Sequence, residues 1–223
     1  MLGIERKRYF GLQDLRVSLL ITRREVRDAF RDWRIIIPIV VLTLGFPILA
    51  SFTARVLINF AETFGAALVG ERLVPFLLLV IGFFPMSFSL VIALESFVGE
   101  KERKSLEPLL AAPLTDAQLY VGKMLAAIVP PMSTSFLGIF FYIIGLALIT
   151  KWFVPFNLLV QILFLTTVQG IIMVAAAVIV SGQTTTVRAA NLLASFIIIP
   201  MALLLQFEAI VLFWGNSRGL WWL

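Results

Sequence analysis

Five long apolar runs constrain this chain more than any other feature. A helix needs about 20 apolar residues to cross a hydrocarbon layer about 30 Å thick. The five runs cover about residues 35–51, 73–98, 118–150, 155–181 and 187–213. The chain is 61% hydrophobic and 14% charged, with a mean hydropathy of +1.02, whereas soluble domains carry roughly 25% charged residues. We therefore predict an all-α, polytopic helical membrane protein with a transmembrane domain over residues 35–223.

The segments between and after these runs define the expected loops. The first run can extend past residue 51, and the external loop predicted at 52–72 has room for a short helix. Residues 216–223 begin a new, Trp-rich apolar run. That ending indicates the start of an incomplete sixth span, which either a truncated sequence or an unusual ending would explain.

Basic residues orient the predicted spans. Nine of the eighteen Lys and Arg residues lie in residues 1–34, and three more lie in the connector 99–117. The loop 52–72 contains only two, Arg55 and Arg72. Because cytoplasmic loops are enriched in Lys and Arg, the amino terminus and the connector are predicted to be cytoplasmic, in a multi-pass protein of the cell membrane.

Residues 1–34 are predicted to contain a basic tail and an amphipathic helix. Thr22 and Glu25 have the spacing of a capping box, which would start a helix at this point. Arginine and apolar side chains then fall on different helical faces, as in helices that lie at a membrane interface. The residues assigned to this interfacial helix, with membrane lipid as its partner, are Arg23, Arg27, Phe30, Arg31, Trp33 and Arg34. A plainer interpretation is that the arginines only set the topology.

The connector 99–117 is charged and lies between two apolar runs. A Lys, Arg or Asp at the centre of a membrane helix costs about 2.5–3.5 kcal/mol, so this segment is predicted to face water. Gly99 suits a helix end, Ser105 can cap a short new helix, and Pro113 would end it. Thr115 and Gln118 form a second capping-box pattern. The short helix would expose an apolar face of three leucines, Leu106, Leu109 and Leu110.

Three polar residues lie inside or near the predicted spans. Glu95 is close to the cytoplasmic end of the second span, where pairing with Lys101 or an amino-terminal basic residue is more typical than a role in an ion path. Gln206 and Glu208 lie towards the outer end of the fifth span. At membrane depth, such residues are expected to face the bundle or a water-filled cavity.

The composition excludes several classes of site. There is no cysteine and no histidine, so Cys/His metal centres, disulfides and His-based acid–base catalysis are impossible. No G-x-x-x-x-G-K-[ST] phosphate loop is present, so ATP is not bound by that motif. We therefore expect no catalytic residues, no metal and no cofactor in this chain, and no nucleic-acid partner.

The connector resembles the signature of the ABC type 2 exporter permeases. In that family the corresponding segment reads much like G-E-K-E-R-x-[ST]-L-E-x-L-L-x-x-P, followed by G-K, which is similar to Gly122-Lys123 here. The matching residues in this chain are Gly99, Glu100, Lys101, Glu102, Arg103, Ser105, Leu106, Glu107, Leu109, Leu110 and Pro113. Family members usually have six spans, and this chain has five and a fragment.

The resemblance implies a fold and partners. Two permeases, as a homodimer or a heterodimer, would bind two separate ATP-binding subunits that hydrolyse ATP. The short helix in the connector would be the coupling helix that docks on the ATPase, with its leucines as the anchor and its charged residues as a polar rim. Bending at Gly99, Pro85 and Pro130-Pro131 would follow. The transported substrate is not indicated.

Two other functions stay open at this level. The chain can be a non-transporting membrane scaffold that recruits a soluble partner through the connector. It can also be an ion-coupled secondary transporter that uses Glu95 and Glu208.

Overall fold

The structure is a bundle of long helices that confirms the all-α polytopic fold. The computed structural model describes residues 12–64, 67–102, 114–150 and 153–213. In this part of the chain, six helices follow one another: α1 Leu12–Ala29, α2 Trp33–Thr63, α3 Ala67–Leu94, α4 Asp116–Thr150, α5 Phe156–Gln183 and α6 Val187–Phe213. A π-helical turn, Glu95–Gly99, and a further α-helical turn, Glu100–Glu102, continue α3. Helices α2 to α6 are long and apolar enough to cross a membrane.

Helix α3 lies at the centre of the bundle. It packs against α2, α4, α5 and α6, and its side chains Leu78, Met86 and Leu90 have no exposed surface. A helix that is apolar on all sides is stable when it is surrounded on all sides. The outer helices α2 and α6 instead leave most of their apolar surface exposed, as expected of helices that face lipid or another subunit.

Successive long helices run in opposite directions, which creates two distinct ends. At one end, Arg72 near the start of α3 donates to the carbonyl oxygen of Leu212 at the end of α6. At the other end, Glu102 accepts a hydrogen bond from the backbone of Val187 at the start of α6. Helix α1 and the described residues of the connector, 99–102 and 114–117, also lie at the second end. This end is called the connector end below.

Helix α2 is longer than the first predicted span. Residues 52–63 continue the helix, so the expected loop 52–72 is wrong over most of its length. Two facts explain the difference. Residues 52–63 contain no proline or glycine to end a helix, and Ala54 and Ala61 are buried.

Helix α1 begins ten residues before the predicted capping box, which is therefore wrong. Thr22 lies inside the helix, where its hydroxyl donates to the carbonyl oxygens of Ser18 in the preceding turn and of Gly122 in α4, at 2.9 and 3.0 Å. Thr hydroxyls in helix interiors commonly bond to the i−4 carbonyl in this way. The sequence pattern alone does not distinguish such a threonine from a cap.

Helix α4 starts with the second predicted capping box, which is confirmed. The Thr115 N–H donates to Gln118 Oε1 at 3.0 Å, and the Gln118 N–H donates to Thr115 Oγ1 at 3.3 Å. The helix then continues through Pro130-Pro131 without interruption. Its 35 residues would extend about 52 Å, so roughly 20 Å lies beyond a hydrocarbon core of about 30 Å.

The part of α4 that exceeds the membrane thickness is its beginning. Asp116, Gln118 and Lys123 lie there, whereas the last turns are apolar. Helix α1 follows this part of α4 in the same direction, because Ser18 Oγ donates to Gln118 O at 3.0 Å and Ala29 and Ala126 line the same cavity. Helix α1 thus runs alongside α4 and not across it, which differs from a helix lying flat in the membrane interface.

We predict that Gly122→Ala weakens the packing of α1 on α4. A Cβ at Gly122 would lie 2.9 Å from Ile21 Cβ and 3.0 Å from the Ser18 carbonyl oxygen, so the backbone of α1 would have to move. Overpacking of this kind costs about 1–3 kcal/mol, measured as the free energy of unfolding in mixed micelles.

Gly182→Ala is the matched control for this substitution. A Cβ at Gly182 would meet no atom within 4 Å, and replacing a helical glycine by alanine stabilises a helix by about 0.5–1 kcal/mol. The two variants should therefore change stability in opposite directions, and equal changes would contradict the packing described here.

Candidate functional site at the connector root

The connector leaves α3 through a short segment that bonds to several helices. This segment, residues 95–102, is called the connector root. Its first five residues form a π-helix, a local widening that is frequent at functional sites. Residues 103–113 lie outside the described part of the chain, so the predicted docking residues Arg103, Ser105, Leu106, Glu107, Leu109, Leu110 and Pro113 stay predictions.

Lys123 of α4 binds the connector root from the inside of the protein. Its ammonium Nζ lies 2.7 Å from Glu100 Oε1 and 3.2 Å from both the carbonyl and the hydroxyl oxygen of Ser96. The side chain is only 1% exposed. A buried ammonium is stable only when it is paired and hydrogen-bonded, and these contacts supply both conditions.

Lys123 also reaches α1. Its Nζ lies 3.5 Å from Glu25 Oε1 and 5.9 Å from the centre of the Phe97 ring, within the range of a cation–π contact. One buried cation therefore joins α1, α4 and the connector root.

The next two charged residues of the root bind two further helices. Lys101 Nζ donates to the carbonyl oxygen of Thr184, just after α5, at 3.0 Å. Glu102 Oε2 accepts from the backbone N–H of Val187, the first residue of α6, at 2.9 Å. Both bonds complete backbone groups that a helix end leaves without a partner, and their signs match the helix dipoles. Lys101, one of the two kinds of partner expected for Glu95, binds at the end of α5 instead.

Gly99 has a different role from the predicted one. It lies in the π-helix, and the next residue, Glu100, keeps helical angles of φ −68° and ψ −36°, so no helix ends at Gly99. Gly99 is buried, and a Cβ there would lie 3.6 Å from Glu95 Cγ and 3.9 Å from Val187 Cγ2, which is ordinary contact. The root therefore lies next to the start of α6 at this residue, and a small side chain would also fit there.

A cavity of about 200 Å³ separates the root from α1. Carboxylates from both sides line it, namely Glu25, Asp28, Asp32, Glu95 and Glu100. Lys123 is the cation that pairs with Glu25 and Glu100 across it. Because like charges repel, the cluster would separate α1 from the root if this cation were lost.

The predicted intramembrane residues of α6 divide into one buried and one exposed side chain. Glu208 has no exposed surface, and both of its carboxylate oxygens accept from Gln169 Nε2 of α5, at 2.9 and 3.0 Å. Glu208 therefore faces the bundle, as expected of an acid at membrane depth. Gln206 lies on the exposed side of α6 and takes no part in this contact.

Sequence reasoning did not anticipate the partners of these residues. From the sequence, Lys123 is assigned only to the G-K motif. Its position as a lone cation in an apolar stretch of α4 is nevertheless a usable indication of a buried ion pair. Gln169 was one of two glutamines in a long apolar run, and only packing selects it as the partner of Glu208. Thr184 and Val187 contribute backbone groups, for which side-chain patterns contain no information.

We predict that Lys123→Met strongly destabilises the protein. The variant removes the cation and leaves Glu100 and Glu25 charged, and breaking a buried pair in this way costs about 3–5 kcal/mol. Adding Glu100→Gln to Lys123→Met should recover part of the loss, as measured by the free energy of unfolding in mixed micelles.

Arg24→Gln is the control for this variant. It breaks an ion pair with Asp28 at 4.0 Å whose two side chains are 77% and 62% exposed, and exposed pairs contribute less than about 1 kcal/mol. If Lys123→Met were no more harmful than Arg24→Gln, the structural importance assigned to Lys123 would be wrong.

Comparison with known protein families agrees with the resemblance seen in the connector. A family model described as "ABC-2 family transporter protein" matches residues 19–216. No curated protein sequence matches the chain. The membrane components of this family generally work with an ATP-binding subunit. The matched region contains all five long apolar helices and the connector root, and the chain therefore belongs to the ABC-2 transporter family as a multi-pass membrane component of an ABC-type transporter.

Proposed function

We propose that this chain is the permease subunit of an ABC exporter, driven by a separate ATPase that displaces the connector 99–117. The observation that carries the proposal is that Glu100, Lys101 and Glu102 bind three different helices. A force on the connector therefore reaches α4, α5 and α6 through polar contacts at their connector ends.

The three contacts lie at the connector ends of the helices that they reach. Glu100 is paired with Lys123, which is also paired with Glu25 of α1, so a displacement of Glu100 is transmitted to both. Lys101 and Glu102 hold the two ends that flank the turn between α5 and α6. A displacement of the root by the ATPase would tilt these helices together, in the manner of a rigid-body transition driven from one end. The substrate pathway would open and close as α3 to α6 change their packing.

Docking on the ATPase is assigned to the residues that follow the root. Leu106, Leu109 and Leu110 supply the apolar anchor, since buried apolar residues dominate interface energetics while the polar rim gives register. Arg103 and Glu107 belong to that rim. The bonds of Glu100, Lys101 and Glu102 within the chain favour transmission of force as their main role.

The orientation follows from the charge distribution. Helix α1 contains four arginines and lies at the connector end, with Arg31 in the turn that follows it, and basic segments stay in the cytoplasm. The amino terminus and the connector are therefore assigned to the cytoplasm, and the protein to the cell membrane. The exposed apolar faces of α2 and α6 are suited to lipid and to pairing with a second permease.

We predict that Leu109→Asp, and equally Leu110→Asp, abolishes binding of the ATP-binding subunit. A charge in an apolar anchor is costly to bury. The permease would be tagged, expressed together with its ATP-binding subunit and purified from membranes. The ATPase should co-purify with the unaltered permease and be lost from either variant.

Phe64→Asp is the control for this docking experiment. Phe64 is 69% exposed and follows α2 at the end opposite the connector, so the same new charge should leave co-purification unchanged. Normal co-purification of Leu109→Asp and Leu110→Asp would overturn the docking assignment.

A second experiment separates transmission of force from docking. The chain has no cysteine, so single cysteines placed at the exposed positions Tyr120 and Thr185 can carry spin labels. ATP should change the distance between these labels in the complex with the ATPase. In the double variant Lys101→Met/Glu102→Gln the ATPase should still bind, but the ATP-dependent change should be lost. A full distance change in that variant would contradict transmission through the root.

A further inference from the structure

The charges of α1 and of the turn that follows it are partly separated by sign. Glu25, Asp28 and Asp32 line the cavity on the side of the connector root. The arginines lie on the exposed side, where Arg23, Arg24, Arg27 and Arg31 form a shallow groove with Leu20 and with Asp28, which lies at the boundary and lines both the groove and the cavity. One helical face carries Leu20 and four arginines, because residues 16, 20, 23, 27 and 31 follow one another at intervals of three or four positions. This face, with Arg23, Arg27 and Arg31 as its members, is called the arginine face below.

The arginine face has little compensation from the protein itself. Among the described residues, no carboxylate lies within 4.0 Å of Arg23, Arg27 or Arg31, while Arg24 pairs with Asp28 at the limit of 4.0 Å. Cations spaced at i and i+4 repel one another. An external anion would relieve this repulsion, and a planar guanidinium group is suited to bidentate binding of phosphate.

The position of Arg27 and Arg31 relative to the membrane selects the kind of anion. The apolar span of α2 is in place from Ile36, and at the junction between α1 and α2 the Asp32 N–H donates to the carbonyl oxygens of Asp28 and Ala29. At about 1.5 Å per residue, Arg31 and Arg27 lie about 7 and 13 Å before the span. The headgroup layer is about 5–7 Å thick, and long arginine side chains extend towards it.

Exposed aromatic residues lie at the same depth relative to the membrane as Arg31. Phe30 and Trp33 are 47% and 73% exposed and flank Arg31 in the sequence. Exposed Trp is typical of the boundary between lipid and water. Arg31 is therefore presented at headgroup level, and the long side chain of Arg27, one turn further out, can extend towards the same layer. The docking leucines belong to a different segment of the chain.

We propose that the arginine face binds the phosphate headgroup of an anionic phospholipid, with Arg27 and Arg31 as the direct ligands and Arg23 as a supporting charge. The bound lipid would neutralise the outer side of α1 and so stabilise its position beside α4. This inference goes beyond the proposed transport function and does not depend on ATPase docking, since it concerns the permease alone.

The test is lipid binding by the purified full-length chain. The protein in non-ionic detergent would be titrated with phosphatidylglycerol or with phosphatidylcholine, and bound lipid counted by native mass spectrometry. Phosphatidylglycerol should bind more tightly than phosphatidylcholine. Arg27→Gln/Arg31→Gln should weaken its binding by about thirtyfold, on the basis of the usual contribution of one basic residue near an anionic surface.

Two further variants control for charge and folding. Arg55→Gln/Arg188→Gln removes two exposed positive charges elsewhere and should leave phosphatidylglycerol binding unchanged. Arg27→Lys/Arg31→Lys keeps the charge but loses the bidentate geometry of the guanidinium groups, so its phosphatidylglycerol binding should lie between that of the unaltered chain and that of Arg27→Gln/Arg31→Gln.

Several results would overturn the proposal. Equal affinity for the two lipids, or unchanged phosphatidylglycerol binding in Arg27→Gln/Arg31→Gln, would rule out a headgroup site. Displacement of the lipid by inorganic phosphate at similar affinity would indicate a site for small anions. Loss of the ATP-binding subunit from Arg27→Gln/Arg31→Gln with lipid binding intact would assign the face to that protein partner.

Discussion

One buried cation organises the connector end of this protein. Lys123 is almost fully shielded from water and pairs with carboxylates from two other elements, Glu25 and Glu100. A charge at such a position is tolerated only while its partners stay in place, so α1, α4 and the connector root are kept in one arrangement or must move together. The proposed transmission of force through the connector root requires this property.

The length of the helices explains why this arrangement lies outside the bilayer. Helix α4 is longer than a membrane crossing requires, and its extra turns begin with a capped end and carry polar residues. Helix α1 covers those turns with Ser18 and Thr22, which bond directly to α4 carbonyls. The result is a polar extension of the bundle whose contacts are hydrogen bonds and ion pairs, whereas the contacts in the spans are mostly apolar. Polar contacts of this kind depend on precise geometry, so small displacements of the root have large energetic effects.

The fold was largely predictable from the sequence, and the errors have specific causes. Apolar runs of membrane length predict helices. The capping box before α4 was recognised because the side chains of both of its residues bond to backbone groups nearby in the sequence. The pattern at Thr22 and Glu25 failed because the same residue types also serve contacts to a distant helix. The loop after residue 51 failed because small residues such as Ala54 pack against neighbours, which hydropathy does not reveal.

By itself, the sequence determined the class of protein, the five apolar helices, the excess of basic residues in residues 1–34 and in the connector, and the family resemblance of the connector. These properties depend on composition and on local spacing. Only the tertiary structure decided which groups meet: Lys123 with Glu100, Glu208 with Gln169, and Glu102 with the backbone of Val187. Those pairs join residues from 23 to 85 positions apart in the chain. Their contacts depend on how whole helices pack, and no local pattern specifies that packing.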